Sequence, residues 1–190
     1  MARVETPQCD FGLPAPDFCL PGVDGNDWRL EDCRGENGTL VMFLCNHCPF
    51  VGAILDRIVR DTRELQEYGV GSVAIMPNDT EAYPEDGFDK MRALAAENGF
   101  PFPYLLDESQ ETAHLYGAVC TPDFFGFNAE LKLQYRGRLD ASGRHREPGD
   151  PERELFNAMV RVAHTGVGPE PEDQTPSMGC SIKWKGDPPA

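Results

Sequence analysis

Residues 41–50, VMFLCNHCPF, join an apolar run to two cysteines and a proline, and this junction constrains the fold more than any other stretch. Residues 40–44 are continuously apolar, which is typical of a central strand buried on both faces. From Pro49 the apolar residues recur at helical spacing. The sequence therefore predicts a buried strand that leads directly into a helix, with Cys45 and Cys48 at the junction.

The segments on either side of this junction predict an α/β fold. Residues 12–38 are rich in turns and suggest a β-hairpin laid over the entrance to the fold, and 72–76 form a second buried strand. The later predicted elements are, in chain order, a helix over 86–97 after Pro84, a short strand in FPYLLD, a helix that begins with a capping box between Asp107 and Gln110 and ends at Gly117, a hairpin of 124–128 and 131–139, and a helix that Asp150 and Pro151 open and Gly166 ends. This order predicts a central mixed β-sheet flanked by helices.

The domain organisation follows from the length of the chain and from its last segment. A chain of 190 residues can bury the core of one ordinary domain. We place this domain at 1–166, with 1–38 as an N-terminal extension. Residues 167–190 begin rich in Pro and Glu but contain the apolar stretch SMGCSIKW, so we interpret them as a C-terminal tail or arm.

The charge of the chain limits its partners. Its 32 acidic and 17 basic side chains give a formal net charge of -15, which repels phosphate backbones and anionic membrane surfaces. No apolar run approaches the roughly 18 residues of a membrane span, and the N-terminus lacks the apolar core of a secretory signal. We therefore expect a cytoplasmic protein without nucleic-acid or membrane partners.

The two cysteines at the junction have the spacing of a redox switch. A thiolate at a helix N-terminus is stabilised by unpaired backbone N–H groups and the helix dipole, and we assign this position to Cys45. Cys48, one helical turn on, could attack a mixed disulfide at Cys45 and release the partner. His47 places a polarisable or positive group beside the thiolate, so we expect it to stabilise the reduced form and make the pair more oxidising.

Two motifs leave alternatives open. The spacing C-x-x-C is also that of metal ligands, so Cys45 and Cys48 with a third thiol could hold zinc or copper. Thr121 and Pro122 precede an apolar strand, where a cis bond is plausible and could leave backbone groups free to pair with an incoming peptide. An ordinary turn before an edge strand is the other interpretation of this dipeptide.

The seven cysteines are an odd number for a mid-sized chain and do not suggest a framework of structural disulfides. Cys120 abuts the Thr-Pro dipeptide, where it could trap a disulfide or be a small buried residue. Cys180 could return to the site and resolve an oxidised Cys48 or Cys45, or be a free thiol in an anchoring tail. The remaining cysteines and histidines carry no motif, and we assign them no redox or metal role: Cys9, Cys19, Cys33, His114, His145 and His164.

The order of these motifs resembles known families. A strand, C-x-x-C at a helix start, a βαβ unit, Thr-Pro, a hairpin and a closing helix look like the thioredoxin fold. GLPAPDF and VDGNDWRLEDCRG resemble the N-terminal extension of peroxiredoxins and related thiol-specific antioxidant (AhpC/TSA) proteins. CNHCPFV, PNDTEAYPEDGFDKM, FPYLLDESQETAHLYGAVCTPDFF, YRGRLD and SMGCSIKW are similar to bacterial and archaeal peroxiredoxin-like proteins of the thioredoxin family.

This resemblance implies roles for individual residues. Cys45 matches the nucleophilic cysteine of thioredoxins and Cys48 their resolving cysteine. Pro122, with Thr121 before it, matches the cis-proline that faces the disulfide. Compared with peroxiredoxins, Cys48 instead matches the peroxidatic cysteine, so the same sulfur has two candidate roles.

The chain differs from peroxiredoxins at the positions that handle peroxide. Cys45 and Val41 stand where those enzymes place a threonine and a proline before the peroxidatic cysteine. Their arginine falls by approximate alignment near Pro122, where this chain has none. Arg136 and Arg138 follow further along and could take its place only if the fold brings them back to the site; we expect both on a solvated face.

The chain also differs from thioredoxins. Thr39 stands where thioredoxins bury an aspartate that helps to deprotonate the resolving cysteine, and Leu44 replaces the tryptophan usual before the motif. Proton transfer from Cys48 must then use His47, water or another carboxylate, because attack on a disulfide requires a thiolate.

The sequence thus predicts a thioredoxin-like α/β domain that acts as a thiol–disulfide oxidoreductase through Cys45 and Cys48, without a cofactor. Its expected partners are protein or small-molecule thiols and disulfides. One alternative is a peroxidase in which peroxide oxidises Cys48 to a sulfenic acid and Cys45, Cys120 or Cys180 closes the disulfide. The other is a zinc- or copper-binding module. The pattern sets no oligomeric state, and a dimer is compatible with it.

Overall fold

The computed structural model describes residues 3–7, 9–143 and 151–186. Its strands are β1 (Arg3–Glu5), β2 (Cys19–Pro21), β3 (Asp27–Arg29), β4 (Gly38–Phe43), β5 (Val70–Met76), β6 (Tyr104–Leu106), β7 (Cys120–Thr121), β8 (Asp123–Asn128), β9 (Leu133–Tyr135) and β10 (Met178–Ser181). Its α-helices are α1 (Leu30–Cys33), α2 (Pro49–Leu65), α3 (Phe88–Asn98), α4 (Glu111–Tyr116) and α5 (Glu154–Thr165).

A five-stranded sheet in the order β6-β5-β4-β8-β9 forms the centre of the fold. The strands β4, β5 and β6 run parallel, and β8 and β9 add two antiparallel pairings. All six residues of β4 are buried, because this strand has neighbours on both sides and packed layers on both faces. The predicted α/β architecture with a central mixed sheet is confirmed.

The two faces of this sheet bury alternate side chains of β4. Leu40 and Met42 belong to the apolar cluster that includes residues of α2, α3 and α5. Val41 and Phe43 belong to the cluster on the opposite face, with residues of α1, α4 and the β2–β3 hairpin. The long helices therefore cover one face of the sheet, and the hairpin and the two short helices contribute to the cover on the other.

A second, three-stranded sheet brings the C-terminal segment back to the rest of the fold. Its order is β1-β10-β7, and both pairings are antiparallel. In this sheet Cys180 pairs with Arg3 on one side and with Thr121 on the other. The C-terminal strand thus lies directly beside the predicted Thr-Pro motif.

Three local predictions differ from the structure or fall outside it. The capping box is wrong: Gln110 has a positive φ of 66° at the N-cap of α4, and the carboxylate of Asp107 accepts a hydrogen bond from the N–H of Ala113 at 2.8 Å. Pro84 opens a short 3-10 helix rather than α3, which begins at Phe88. Asp150 lies outside the described residues, and Pro151 does not open the last helix, which begins at Glu154 with Arg153 as its N-cap. No helix within the described ranges is long and apolar enough to cross a membrane.

Candidate active site

The CNHC motif fills the loop between β4 and α2. Pro49 occupies the first turn of α2, where its missing N–H costs nothing, and Cys48 is therefore the N-cap residue. Cys45 lies three residues earlier, outside the helix. The placement of Cys45 at the helix N-terminus was wrong, because the proline sets the start of the helix after the second cysteine.

Thr121 contacts both sulfurs of the motif. Its Oγ1 lies 3.1 Å from the Sγ of Cys45, and its carbonyl oxygen lies 3.1 Å from the Sγ of Cys48. The peptide bond between Thr121 and Pro122 is cis, rather than the trans bond of an ordinary turn. Cys45 and Cys48 are 1% and 2% exposed, so the two thiols are enclosed and held at one residue.

The surroundings favour the thiolate at Cys48. A hydrogen bond from Cys45 has the largest effect, and bonds from the N–H of Val51 and from Cys180 add to it, which together lower the pKa of Cys48 to about 5 against the opposing effect of burial. The contact with the Thr121 carbonyl favours the thiol form of Cys48. The hydrogen bonds from Cys45, Val51 and Cys180 favour the thiolate and outweigh this contact. The bond to Cys48, burial and the carboxylate of Asp86 raise the pKa of Cys45. We therefore place the resting negative charge on Cys48, at the N-terminus of α2.

Asp86 holds the CNHC loop in place through hydrogen bonds. It is fully buried, and its Oδ1 accepts hydrogen bonds from the backbone N–H groups of Asn46 and His47 at 2.8 and 3.2 Å. Its Oδ2 lies 2.7 Å from the Nδ1 of His47 and accepts a bond of 2.7 Å from the amide of Asn78. One carboxylate thus fixes both the backbone and the histidine side chain between the two cysteines.

His47 and Asp86 each stabilise the charged form of the other. The hydrogen bond to Asp86 raises the pKa of His47, although partial burial opposes the shift. Burial alone would raise the pKa of Asp86, but hydrogen bonds from His47 and Asn78 outweigh it and hold that pKa below its usual range. The ring of His47 also stacks on Tyr83, with centroids 5.7 Å apart. A hydrogen-bonded histidine–carboxylate pair therefore lies beside Cys45 and Cys48, and the carboxylate makes His47 a stronger base.

Asp86 was missed at the sequence level, although a signal was present. The strands β4 and β5 are parallel neighbours, so the loops that follow their carboxyl ends must lie side by side. CNHC follows β4, and the polar loop that contains PED follows β5. An acidic residue in that loop was therefore a candidate for the carboxylate that Thr39 does not supply.

Cys180 lies in the same site. It is 4% exposed and pairs with Thr121 across β10 and β7. Burial raises its pKa to about 12, and its hydrogen bond to the sulfur of Cys48 contributes to the shift. Three thiols, those of Cys45, Cys48 and Cys180, thus meet around one threonine.

A cavity of about 800 Å³ opens beside this cluster, and we call it the Cys180 cavity. Its wall includes Pro49, Phe50, Pro122, Ser177 and Cys180. Of the three clustered thiols, Cys180 is the one that lines the cavity. The volume of the cavity is in the range of small-molecule binding sites in general. A ligand in the cavity would therefore meet the C-terminal strand and the cis-proline.

The other candidate residues are placed as follows. Cys120 is buried and its thiol lies 3.6 Å from the carbonyl of Pro122, with its pKa raised by burial. Arg136 is not on a solvated face: it is buried and ion-paired with Asp123 at 3.0 Å. Arg138 is partly buried and ion-paired with Glu154 at 2.7 Å. His114 and His164 are exposed, Cys9 is half-buried, Cys19 exposed and Cys33 buried in the core, and His145 lies outside the described residues.

Donor atoms of Cys45, His47 and Asp86 lie within 4.8 Å of one another, a spacing that a metal ion could bridge. However, the facing atoms already have partners: the Nδ1 of His47 contacts Asp86, and the sulfur of Cys45 contacts Thr121.

Comparisons with known proteins agree with this fold. The model of the AhpC/TSA family matches residues 11–136. An uncharacterized conserved protein from Geobacillus kaustophilus is 44% identical over 99% of both chains, with a TM-score of 0.92. A hypothetical protein from Sinorhizobium meliloti 1021 is 35% identical over 96% of this chain and 99% of its own, with a TM-score of 0.88.

More distant structures share the fold alone. The peroxidoxin BcpB from Mycobacterium tuberculosis is 16% identical, with a TM-score of 0.59 over 81% of this chain and 96% of its own. No curated protein matches the chain. The family match and this likeness confirm the predicted thioredoxin-like fold.

Proposed function

The chain belongs to the AhpC/TSA family of thioredoxin-like redox proteins, and we propose that it is a thiol–disulfide oxidoreductase in which Cys45 and Cys48 alternate between dithiol and disulfide. The observation that carries this proposal is the convergence of both sulfurs on Thr121, each at 3.1 Å. Enclosed thiols that share one contact residue are placed to form a disulfide without a large movement of the chain.

The order of attack follows from the charge. A thiolate is the nucleophile in disulfide exchange, and Cys48 carries it at neutral pH because its pKa is about 5. In the reducing direction, the Cys48 thiolate attacks a disulfide and one half of that disulfide leaves as a thiolate. Cys45 then attacks the sulfur of Cys48, and the second half leaves. The roles are thus the reverse of those that the resemblance to thioredoxins implies.

Cys45 must lose its proton before it can attack. His47 and Asp86 lie within 4.8 Å of its sulfur, counted between the ligand atoms of the three residues. They take the place of the carboxylate that thioredoxins bury where this chain has Thr39. Neutral His47 is the acceptor, and Asp86 stabilises the imidazolium that results.

The proposal is tested by reduction of a protein disulfide, such as that of insulin, with dithiothreitol as electron donor. We expect Cys45→Ser and Cys48→Ser to abolish the rate above the uncatalysed background, because each removes one sulfur of the pair. The matched control is Cys19→Ser, which replaces an exposed cysteine and should retain the full rate. Full activity in either of the first two variants would contradict the proposal.

The same variants separate the alternatives. Hydrogen peroxide consumption that survives in Cys45→Ser but is lost in Cys48→Ser would favour a peroxidase with Cys48 as the oxidised residue. Metal retained through purification at a stoichiometric level, and lost in Cys45→Ser, would favour the metal-binding module.

A further inference from the structure

The C-terminal strand occupies the backbone that the sequence suggested would be free for a peptide. β10 pairs with Cys120 and Thr121, immediately before the cis-proline. The hydroxyl of Ser177 donates a hydrogen bond of 2.8 Å to the carbonyl of Pro122. The expectation of a free edge at this position is therefore wrong, because the chain fills it with its own strand.

The approach of β10 to this edge is unusually close. A Cβ on Gly179 would overlap the carbonyl oxygen of Thr121, so only glycine allows this packing. The next residue, Cys180, consequently lies opposite Thr121, the residue that also holds Cys45 and Cys48. The sulfur of Cys180 is hydrogen-bonded to that of Cys48, so the two thiols are in direct contact.

Cys180 also separates the CNHC motif from the Cys180 cavity. Pro49, Phe50 and Cys180 line the cavity, whereas Cys45 and Cys48 do not. Of the three thiols, Cys180 is therefore the one that a substrate in the cavity would contact. Cys48 lies in the middle of the cluster, in contact with Cys45 on one side and Cys180 on the other.

We propose that Cys180 is a third redox-active thiol, which exchanges with a disulfide substrate in the Cys180 cavity and passes the bond to Cys48 as a Cys48–Cys180 disulfide. This inference rests on the proposed function and names the route by which substrate reaches the enclosed pair. The substrate class is a small-molecule disulfide, or a disulfide on an exposed peptide segment, that fits the cavity.

The exchange balances in three steps. The Cys48 thiolate, which is hydrogen-bonded to Cys180, takes the proton of Cys180 as that sulfur attacks the substrate disulfide; the half that leaves then accepts this proton, so that a mixed disulfide on Cys180 and the Cys48 thiolate result. The Cys48 thiolate then attacks the sulfur of Cys180, and the other half of the substrate leaves as a thiolate. Finally Cys45 gives its proton to His47 and attacks the sulfur of Cys48; Cys180 leaves as a thiolate and takes up a proton from water, and His47 releases one to water. One substrate disulfide is reduced and one Cys45–Cys48 disulfide is formed.

The Cys45→Ser variant blocks the last step and should accumulate the intermediate. We would oxidise it with glutathione disulfide, quench with acid, alkylate the free thiols and map the linked peptides by mass spectrometry without reduction. The expected result is a Cys48–Cys180 disulfide with release of both glutathione halves. Cys45→Ser/Cys180→Ser should lose this species, and Cys45→Ser/Cys120→Ser, which lacks the other nearby thiol, should retain it.

The outcomes separate this inference from the proposed function. Glutathione that stays attached to Cys48 in Cys45→Ser, with no Cys48–Cys180 disulfide, would overturn the role of Cys180 while a Cys45–Cys48 disulfide in the wild type still supports the proposed function. A rapid-quench time course on the wild type provides a second test. There the Cys48–Cys180 disulfide should appear before the Cys45–Cys48 disulfide, and its absence at every time point would also overturn the role of Cys180.

Discussion

Replacing Asp86 by alanine is expected to lower the free energy of unfolding of the reduced protein by about 3 kcal/mol or more, since each buried donor left unpaired costs roughly 1–3 kcal/mol. The carboxylate is fully buried and accepts hydrogen bonds from Asn46, His47 and Asn78. Its removal leaves these donors facing a cavity rather than an acceptor. Urea denaturation under reducing conditions measures the loss.

Two further variants serve as controls for the stability loss in Asp86→Ala. Asp89→Ala removes a carboxylate that is 95% exposed, so its effect should stay within about 0.5 kcal/mol. Asp86→Asn keeps one acceptor oxygen and should cost less than Asp86→Ala. If Asp86→Ala unfolds as Asp89→Ala does, the carboxylate does not organise the loop.

The effect of Asp86→Ala should also depend on pH. Asp86 has a depressed pKa in the folded protein, so its contribution is present above the pKa of an unfolded aspartate and is lost as the pH falls through the folded value. His47 has a raised pKa, so its contribution is present below the pKa of an unfolded histidine and is lost as the pH rises through the folded value. The stability difference between wild type and Asp86→Ala should therefore be largest between the unfolded pKa values of the two residues, about 4 to 6.5.

The second large effect is the acidity of Cys48. In the reduced protein, the ultraviolet absorbance of a thiolate should appear with a midpoint near pH 5. Cys48→Ser should remove this transition, and Cys45→Ala should move the midpoint upward, because the hydrogen bond from Cys45 makes the largest contribution to the shift. Cys19→Ser should leave it unchanged. A midpoint near 8.5, the ordinary value for cysteine, would contradict the assignment.

This acidity has a consequence for the reduction potential. Above pH 5 the reduced pair binds one proton rather than two, because Cys48 stays a thiolate and Cys45 stays protonated. Each proton taken up in a two-electron reduction changes the potential by about 30 mV per pH unit. The potential of the pair should thus fall by about 30 mV per pH unit above pH 5, rather than by about 60 mV.

The sequence predicted the parts of this site that depend on local patterns. The apolar run of β4, the helical spacing of α2 and the position of CNHC between them follow from neighbouring residues. The start of α2 was also visible: a proline at the first helical position places Cys48 at the N-cap. The error over Cys45 came from giving the motif more weight than Pro49.

The parts that could not be predicted depend on distant residues. Asp86 reaches His47 only because β4 and β5 are adjacent and parallel, and Cys180 reaches Thr121 only because β10 returns to pair with β7. Strand pairings between distant segments are hard to predict from a single sequence, because short strands contain too few residues to show a periodic pattern. For this reason the sequence made Cys180 a candidate but did not predict where it lies relative to Cys48.

The proposed activity depends on a reversible disulfide between Cys45 and Cys48. The most direct measurement equilibrates the wild-type protein in glutathione redox buffers, traps free thiols by alkylation and maps the paired cysteines by mass spectrometry. We expect a Cys45–Cys48 disulfide that forms and disappears with a single two-electron potential. A pair that resists oxidation across the whole buffer range, or that carries stoichiometric metal in place of a disulfide, would contradict it.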